Sequence, residues 1–180
     1  MSQLRFKVSP WATAGLYLLS ILLIAWPLMD FITTVVPFQL GNAEWRYGTV
    51  GILSSYLAMP MMGLFLAMAL TFFFRHPAGL RGLSLLGFLA ALVLAPAIVA
   101  FALDVLQLRE ARPPDSLPSF YAGAIMAEIK HVTTLITLVL LSFGGWATAR
   151  SLSEAEAAAS KDKRSPDLVM TPQGKPRGGS

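Results

Sequence analysis

The 180-residue chain is 55% hydrophobic and only 13% charged, a balance too apolar for a soluble domain and characteristic of a polytopic membrane protein. It contains no cysteine, which excludes disulfides, thiolate metal sites, cysteine nucleophiles and iron–sulfur clusters. Its formal net charge of +4 is carried in loops and near the C-terminus, a distribution that fits membrane topology better than nucleic-acid binding.

Met1 to Pro10 carries Arg5 and Lys7, and an apolar run follows over residues 11–29. The run is longer than the core of a signal peptide. Ala25-Trp26-Pro27 also makes a poor cleavage site, since bulky Trp and rigid Pro do not suit small-residue processing. A first, uncleaved span is expected there. Asp30 to Arg46 holds Pro37, Gly41 and Asn42 as turn formers yet stays apolar through Phe31, Val35, Phe38 and Leu40, so it reads as a loop lying in the interface.

The second span is expected over residues 47–74, behind a Glu44-Trp45-Arg46-Tyr47 collar. About 28 uncharged residues make roughly 42 Å of helix, more than the ~30 Å hydrocarbon core requires. Pro60 removes one backbone hydrogen bond and crowds the preceding turn, which predicts a kink or opening over Tyr56 to Pro60. After the link Arg75 to Gly79, a third span is expected over 80–103 with a second kink at Pro96. Asp104 to Pro118, with Arg109, Glu110, Arg112 and Asp115, reads as a solvated loop. The fourth span covers 122–149. Glu128, Lys130 and His131 sit in its first third, so the bilayer-crossing part starts near His131 and the preceding turns stand above the membrane. From Arg150 the composition changes to an alanine-rich helical extension and then a basic tail with the proline and glycine content of disorder.

The expected fold is therefore all-α: a four-transmembrane-helix bundle over residues 1–150, then a short helical extension and disordered tail over 151–180. Lys and Arg are concentrated on one side of the four spans (Arg5, Lys7, Arg75, Arg81, Arg150 and the tail), whereas Arg46, Arg109, Arg112 and Lys130 fall on the other. This asymmetry places both termini in the cytoplasm of a bacterial inner membrane.

Gly48, Gly51, Ser54 or Ser55, and Ala58 recur at three- to four-residue spacing, as do Gly82, Gly87 and Ala91. In lipid, small residues let helix backbones approach, so Gly48, Gly51, Ser55, Ala58, Gly82 and Gly87 are candidate faces for packing within the chain or for docking a partner subunit. Glu128 and His131 share a helical face. With Asp104 they form a candidate outer polar cluster for a proton or ion, weighed against simple residence at the interface. Trp45, Arg46 and Tyr47 are candidate interface anchors, and Arg46 can either pair with a neighbouring helix or meet lipid phosphate. The two histidines, His76 and His131, fall on opposite sides of the membrane and cannot ligate one haem together. No cofactor or metal is expected. The chain contains no Gly-rich phosphate loop, nucleophile elbow or HExxH motif.

Val36-Pro37, Asn42-Ala43-Glu44-Trp45-Arg46 leading to Gly51 and the Pro60 span, Leu94-Ala95-Pro96 and Leu108-Arg109 together resemble the HpsJ-type membrane proteins of hormogonium polysaccharide secretion. The resemblance covers about Pro37 to Arg112. It implies an accessory membrane protein associated with exopolysaccharide export and transfers no catalytic residue. The expectation from the whole sequence is a non-enzymatic accessory or assembly subunit whose partners are the lipid bilayer and other membrane proteins, not nucleic acid. The alternatives are a small ion-coupled transporter using Glu128, His131 and Asp104, and an accessory subunit of a photosynthetic or respiratory electron-transfer complex.

Overall fold

A computed structural model describes residues 9–164, and among these residues the fold is entirely helical. The predicted disordered tail beyond 164 lies outside the described residues.

Helix α1 spans Pro10–Val35. It opens with Pro10 in its first turn, where a missing N–H costs nothing, and continues through Pro27 and Asp30. This corrects the expected end near Met29 and the expected interfacial loop from Asp30. The stop comes instead from Pro37, which disfavours helical geometry at the residue before it. Val36 is accordingly extended, at φ −80° and ψ 135°.

Helix α2 spans Ala43–Tyr56. Asn42 caps it by accepting from the backbone N–H groups of Glu44 at 2.9 Å and Trp45 at 3.3 Å, and Glu44 in the first turn complements the helix dipole. Helix α3 follows over Ala58–Phe73, and the two meet at Leu57 with a bend of 45°. The break falls one turn ahead of Pro60, whose ring crowds the carbonyl four residues back. The tight corner after α3 is closed by the His76 N–H donating to the Thr71 carbonyl at 2.8 Å, with Arg75 at φ 54°.

Helix α4 runs over Pro77–Leu108, longer at both ends than the expected 80–103. It stays unbroken past Pro96, so no helix break accompanies that proline. Ala91, Leu94 and Phe101, all buried, hold α4 against its neighbours on either side of Pro96, and the packing absorbs one lost backbone bond. Two 3₁₀ turns, Arg109–Ala111 and Pro114–Ser116, lead into α5, which covers Leu117–Arg164. At 48 residues and ~1.5 Å per residue, α5 is about 72 Å long and projects well beyond a ~30 Å hydrocarbon core. Residues 151–164 are thus a continuation of α5 rather than a separate unit.

The principal packing is the antiparallel pair α4 and α5. Leu80, Ser84, Gly87, Ala91, Leu94, Phe101 and Leu108 are buried on α4, and Phe120, Ala124, Ala127, His131, Leu138, Ser142, Gly145 and Ala149 on α5. Steps of three and four residues average 3.5, the repeat that keeps a seam facing its partner along two left-handed supercoiled helices. A Cβ on Gly87 would lie 2.7 Å from Ser142 Oγ, and one on Gly145 would collide with Ser84 and Met68. The backbones approach there because nothing intervenes. Leu64 and Met68 of α3 complete this core with Leu138 and Ala149 of α5.

Helix α1 packs chiefly on α3. At their crossing, a Cβ on Gly63 would meet Ile24 Cγ1 at 2.7 Å, the Ser20 carbonyl oxygen at 2.8 Å and Leu23 Cβ at 3.0 Å. Outside these seams the surface is apolar, with Leu92, Val93, Leu140 and Phe143 turned outward. Three helices are long and apolar enough to cross a membrane, and the bent α2–α3 pair makes a fourth. The protein is a multi-pass membrane protein.

The seams differ testably from open glycine positions. Gly63→Val should lose about 1–3 kcal/mol of unfolding free energy, because the Ser20 backbone cannot yield to an added side chain. Gly82→Ala should be neutral or slightly stabilising, since a Cβ there meets nothing within 4 Å and glycine is a poor helix former. Thermal unfolding of both variants in lipid nanodiscs checks the contrast.

Candidate functional site

The polar residues of the bundle gather at the end where α1 hands over to α2 and α4 to α5. Arg46 lies in the first turn of α2, with its guanidinium turned inward rather than toward lipid headgroups. Its Nε donates to Asp104 Oδ2 at 3.0 Å, Nη2 contacts Asp104 Oδ1, and Nη1 donates to the Leu40 carbonyl at 2.8 Å. One side chain therefore ties the α1–α2 loop, α2 and α4 together through a bidentate, charge-assisted contact.

Asp104 is within α4 and 3% exposed, which corrects its expected place in a solvated loop. A carboxylate buried to that degree needs a partner, and Arg46 is that partner. Of the outer cluster expected from sequence, Asp104 is paired with Arg46, while Glu128 and His131 face each other on α5.

Beside the ion pair is an aromatic stack. Tyr47 lies between Phe101 and Phe120, with ring centroids 5.1 Å from each. Arg112 sits over the far ring, its Cζ 5.5 Å from the Phe120 centroid, a cation–π arrangement. Tyr47 is consequently a packing residue of the site. Trp45 stays half-buried and meets Phe38 edge-on.

Phe101 also presents its ring edge-to-face to His131, with centroids 5.8 Å apart. His131 is fully buried, at 0% exposure. Neither of its ring nitrogens has a hydrogen-bond partner, nor does the buried Oε2 of Glu128, which stands 4.0 Å from His131 Nδ1. The Val50 carbonyl of α2 also faces the imidazole. His76, by contrast, sits at the opposite end of the bundle, 3.3 Å from the Tyr17 hydroxyl.

The candidate small-residue faces divide. Gly87 lies in the α4–α5 seam, and Gly51 packs at ordinary contact distance on Phe101. Gly48 and Gly82 have nothing within 4 Å of an added Cβ, and Ser55 and Ala58 are exposed while Ser54 turns inward. Those four are therefore not part of the internal packing face. Gly48, Gly51 and Gly123 instead line a shallow groove of about 290 Å³ between α2 and α5, with Phe101 at its base.

Phe101, Phe120, Arg112, Val50, Gly63 and Gly145 escaped the sequence reading. For Gly63 and Gly145 a signal existed, since both fall on the three-and-four repeat of buried positions. For the aromatic stack none did, because its members come from α2, α4 and α5. Among the described residues, no group of three or more His, Asp or Glu is placed to hold a metal ion.

Fold and site together define a multi-pass α-helical membrane protein with an ion pair, an aromatic stack and an enclosed imidazole at one end. No protein-family model matches the chain, and no curated protein or solved structure matches it.

Removing one partner of the ion pair should hurt more than removing both. Arg46→Gln leaves the Asp104 carboxylate buried and unpaired, and it should lower the melting temperature more than the combined Arg46→Met, Asp104→Leu replacement does. Thermal unfolding in nanodiscs measures the difference, and equal losses would mean that the pairing does not position α2.

Proposed function

We propose that the protein is a non-catalytic accessory or assembly subunit of a larger complex in the bacterial inner membrane, with both termini in the cytoplasm. The observation that carries this reading is the pair Gly48 and Gly123. Both are helical glycines, Gly48 in α2 and Gly123 in the first turns of α5, both line the α2–α5 groove, and neither is used by this chain's own packing. Internal packing therefore does not account for them, whereas a transmembrane helix of a partner, crossing at the groove, would use the missing side chains as Gly63 and Gly87 are used within the bundle. The resemblance to HpsJ-type proteins suggests exopolysaccharide export as the setting.

Ion-coupled transport through Glu128, His131 and Asp104 has less support, since Asp104 is occupied by Arg46.

A photo-crosslinking residue at Gly48 or Gly123 should give one discrete heterologous adduct in intact membranes, and the same probe at lipid-facing Val93 should not. The adduct from Gly48 should disappear when Gly123 is replaced by Leu. Equal labelling from Val93, or no adduct from either glycine, would contradict the proposal.

A further inference from the structure

The Glu128 and His131 pair calls for an explanation that docking at the groove does not supply. Buried polar atoms in folded proteins are nearly always hydrogen-bonded. Here three lie together without partners: Glu128 Oε2, His131 Nδ1 and His131 Nε2. What surrounds the ring is informative. On the Nδ1 side stands a carboxylate oxygen at 4.0 Å, and the Val50 backbone carbonyl faces the same imidazole from α2. Both are acceptors. A neutral imidazole has one N–H and one lone pair, so in these surroundings its lone pair has no donor to meet. An imidazolium has two N–H groups and can donate in both directions.

We propose that Glu128 and His131 form a proton-binding site. One exchangeable proton is held between Glu128 Oε2 and His131 Nδ1, and the protonated ring also donates from Nε2 to the Val50 carbonyl. The proton comes from water at the loop end of the bundle. Its route is the Glu128 side chain, which is 30% exposed although Oε2 is covered. Uptake transfers one proton from hydronium to the pair, leaves a water molecule, and changes the pair's charge from −1 to neutral. The 4.0 Å separation is closed by a small side-chain rotation or spanned by one water making two ordinary hydrogen bonds. With only two side-chain ligands, the site suits a proton better than a metal ion, which requires about four or more.

The charged and titratable groups around the pair come from every packed element. On α5, Lys130 is the cation beside the pair. On α4, Asp104 is tied up by Arg46 of α2. Tyr47 of α2 is stacked on Phe101, and Arg112 lies over Phe120. The only carboxylate in contact with the imidazole is therefore Glu128 among the described residues. In the protonated state the pair ties α5 to α2 just above the Leu57 bend, so proton occupancy sets how firmly that segment is held.

The test is nitrogen-15 NMR of histidine-labelled protein in lipid bilayers, on a His76→Gln background that leaves one imidazole. Ring shifts followed from about pH 4 to about pH 9, a window spanning the usual carboxyl and imidazole ranges, distinguish the imidazolium from either neutral tautomer. The proposal predicts an imidazolium whose titration midpoint falls by at least about one pH unit in Glu128→Gln, as expected for two coupled groups. Glu128→Asp, which keeps the carboxylate but withdraws it, should give a smaller shift and serves if the Gln variant does not fold. A His131 that stays neutral throughout the range would overturn the proposal, as would a midpoint indifferent to both substitutions. None of these outcomes depends on whether a partner occupies the groove.

Discussion

The close approach of α4 and α5 is the constraint on which the other helices depend. In lipid no hydrophobic drive pulls helices together, because the surrounding tails are as apolar as leucine. Association must come from contact, and contact over a long seam requires that side chains not hold the backbones apart. Ser84, Gly87 and Ala91 on one side, with Ser142, Gly145 and Ala149 on the other, meet that requirement in the half of the seam toward the start of α4. Larger side chains, Leu94, Phe101 and Leu108 of α4 with Leu138 and Phe120 of α5, fill the rest. The hydroxyls of Ser84 and Ser142 donate to carbonyls four residues back on their own helices, at 2.7 Å each, so they enter the seam already satisfied.

The remaining helices attach to this pair in different ways. Helix α3 is held by apolar packing, α2 by the Arg46 and Asp104 contact and the aromatic stack, and α1 mainly through α3 at Gly63. The bend at Leu57 lies where the polar attachment ends and the apolar one begins. It allows α2 to lean toward Phe101 while α3 follows α5. The molecule thus has a polar, aromatic end and an end secured by surface contacts such as Arg81 Nη2 donating to Ser153 Oγ at 2.8 Å.

Much of the architecture was legible in the sequence because hydrophobicity, prolines and caps act locally. The helical class, the break ahead of Pro60 and the turn around Pro37 to Asn42 all follow from residues within a few positions of each other. What escaped was decided across helices. Asp104 reads as the first residue of a loop as long as its partner is unknown, and that partner lies 58 positions away. Tyr47 reads as an interface residue for the same reason, and for Arg46 the sequence offers both a pairing with a neighbouring helix and a lipid contact without naming Asp104 as the partner. The glycines were visible as small residues, but whether each served packing inside the chain or remained open depended on how its helix is rotated against its neighbours. Helix α1 outran its expected end because a single charge at Asp30 ends the apolar run but not the helix, which continues until Pro37 disfavours helical geometry at Val36.

Hydrogen exchange of the protein in lipid nanodiscs tests the central role of the α4–α5 seam most directly. If that seam carries the fold, the amides around Gly87 and Ser142 should be the slowest to exchange and should be lost together, while those of α1 and the Leu57 region exchange earlier through local opening. Protection of α1 equal to or greater than that of the α4–α5 seam would contradict the account.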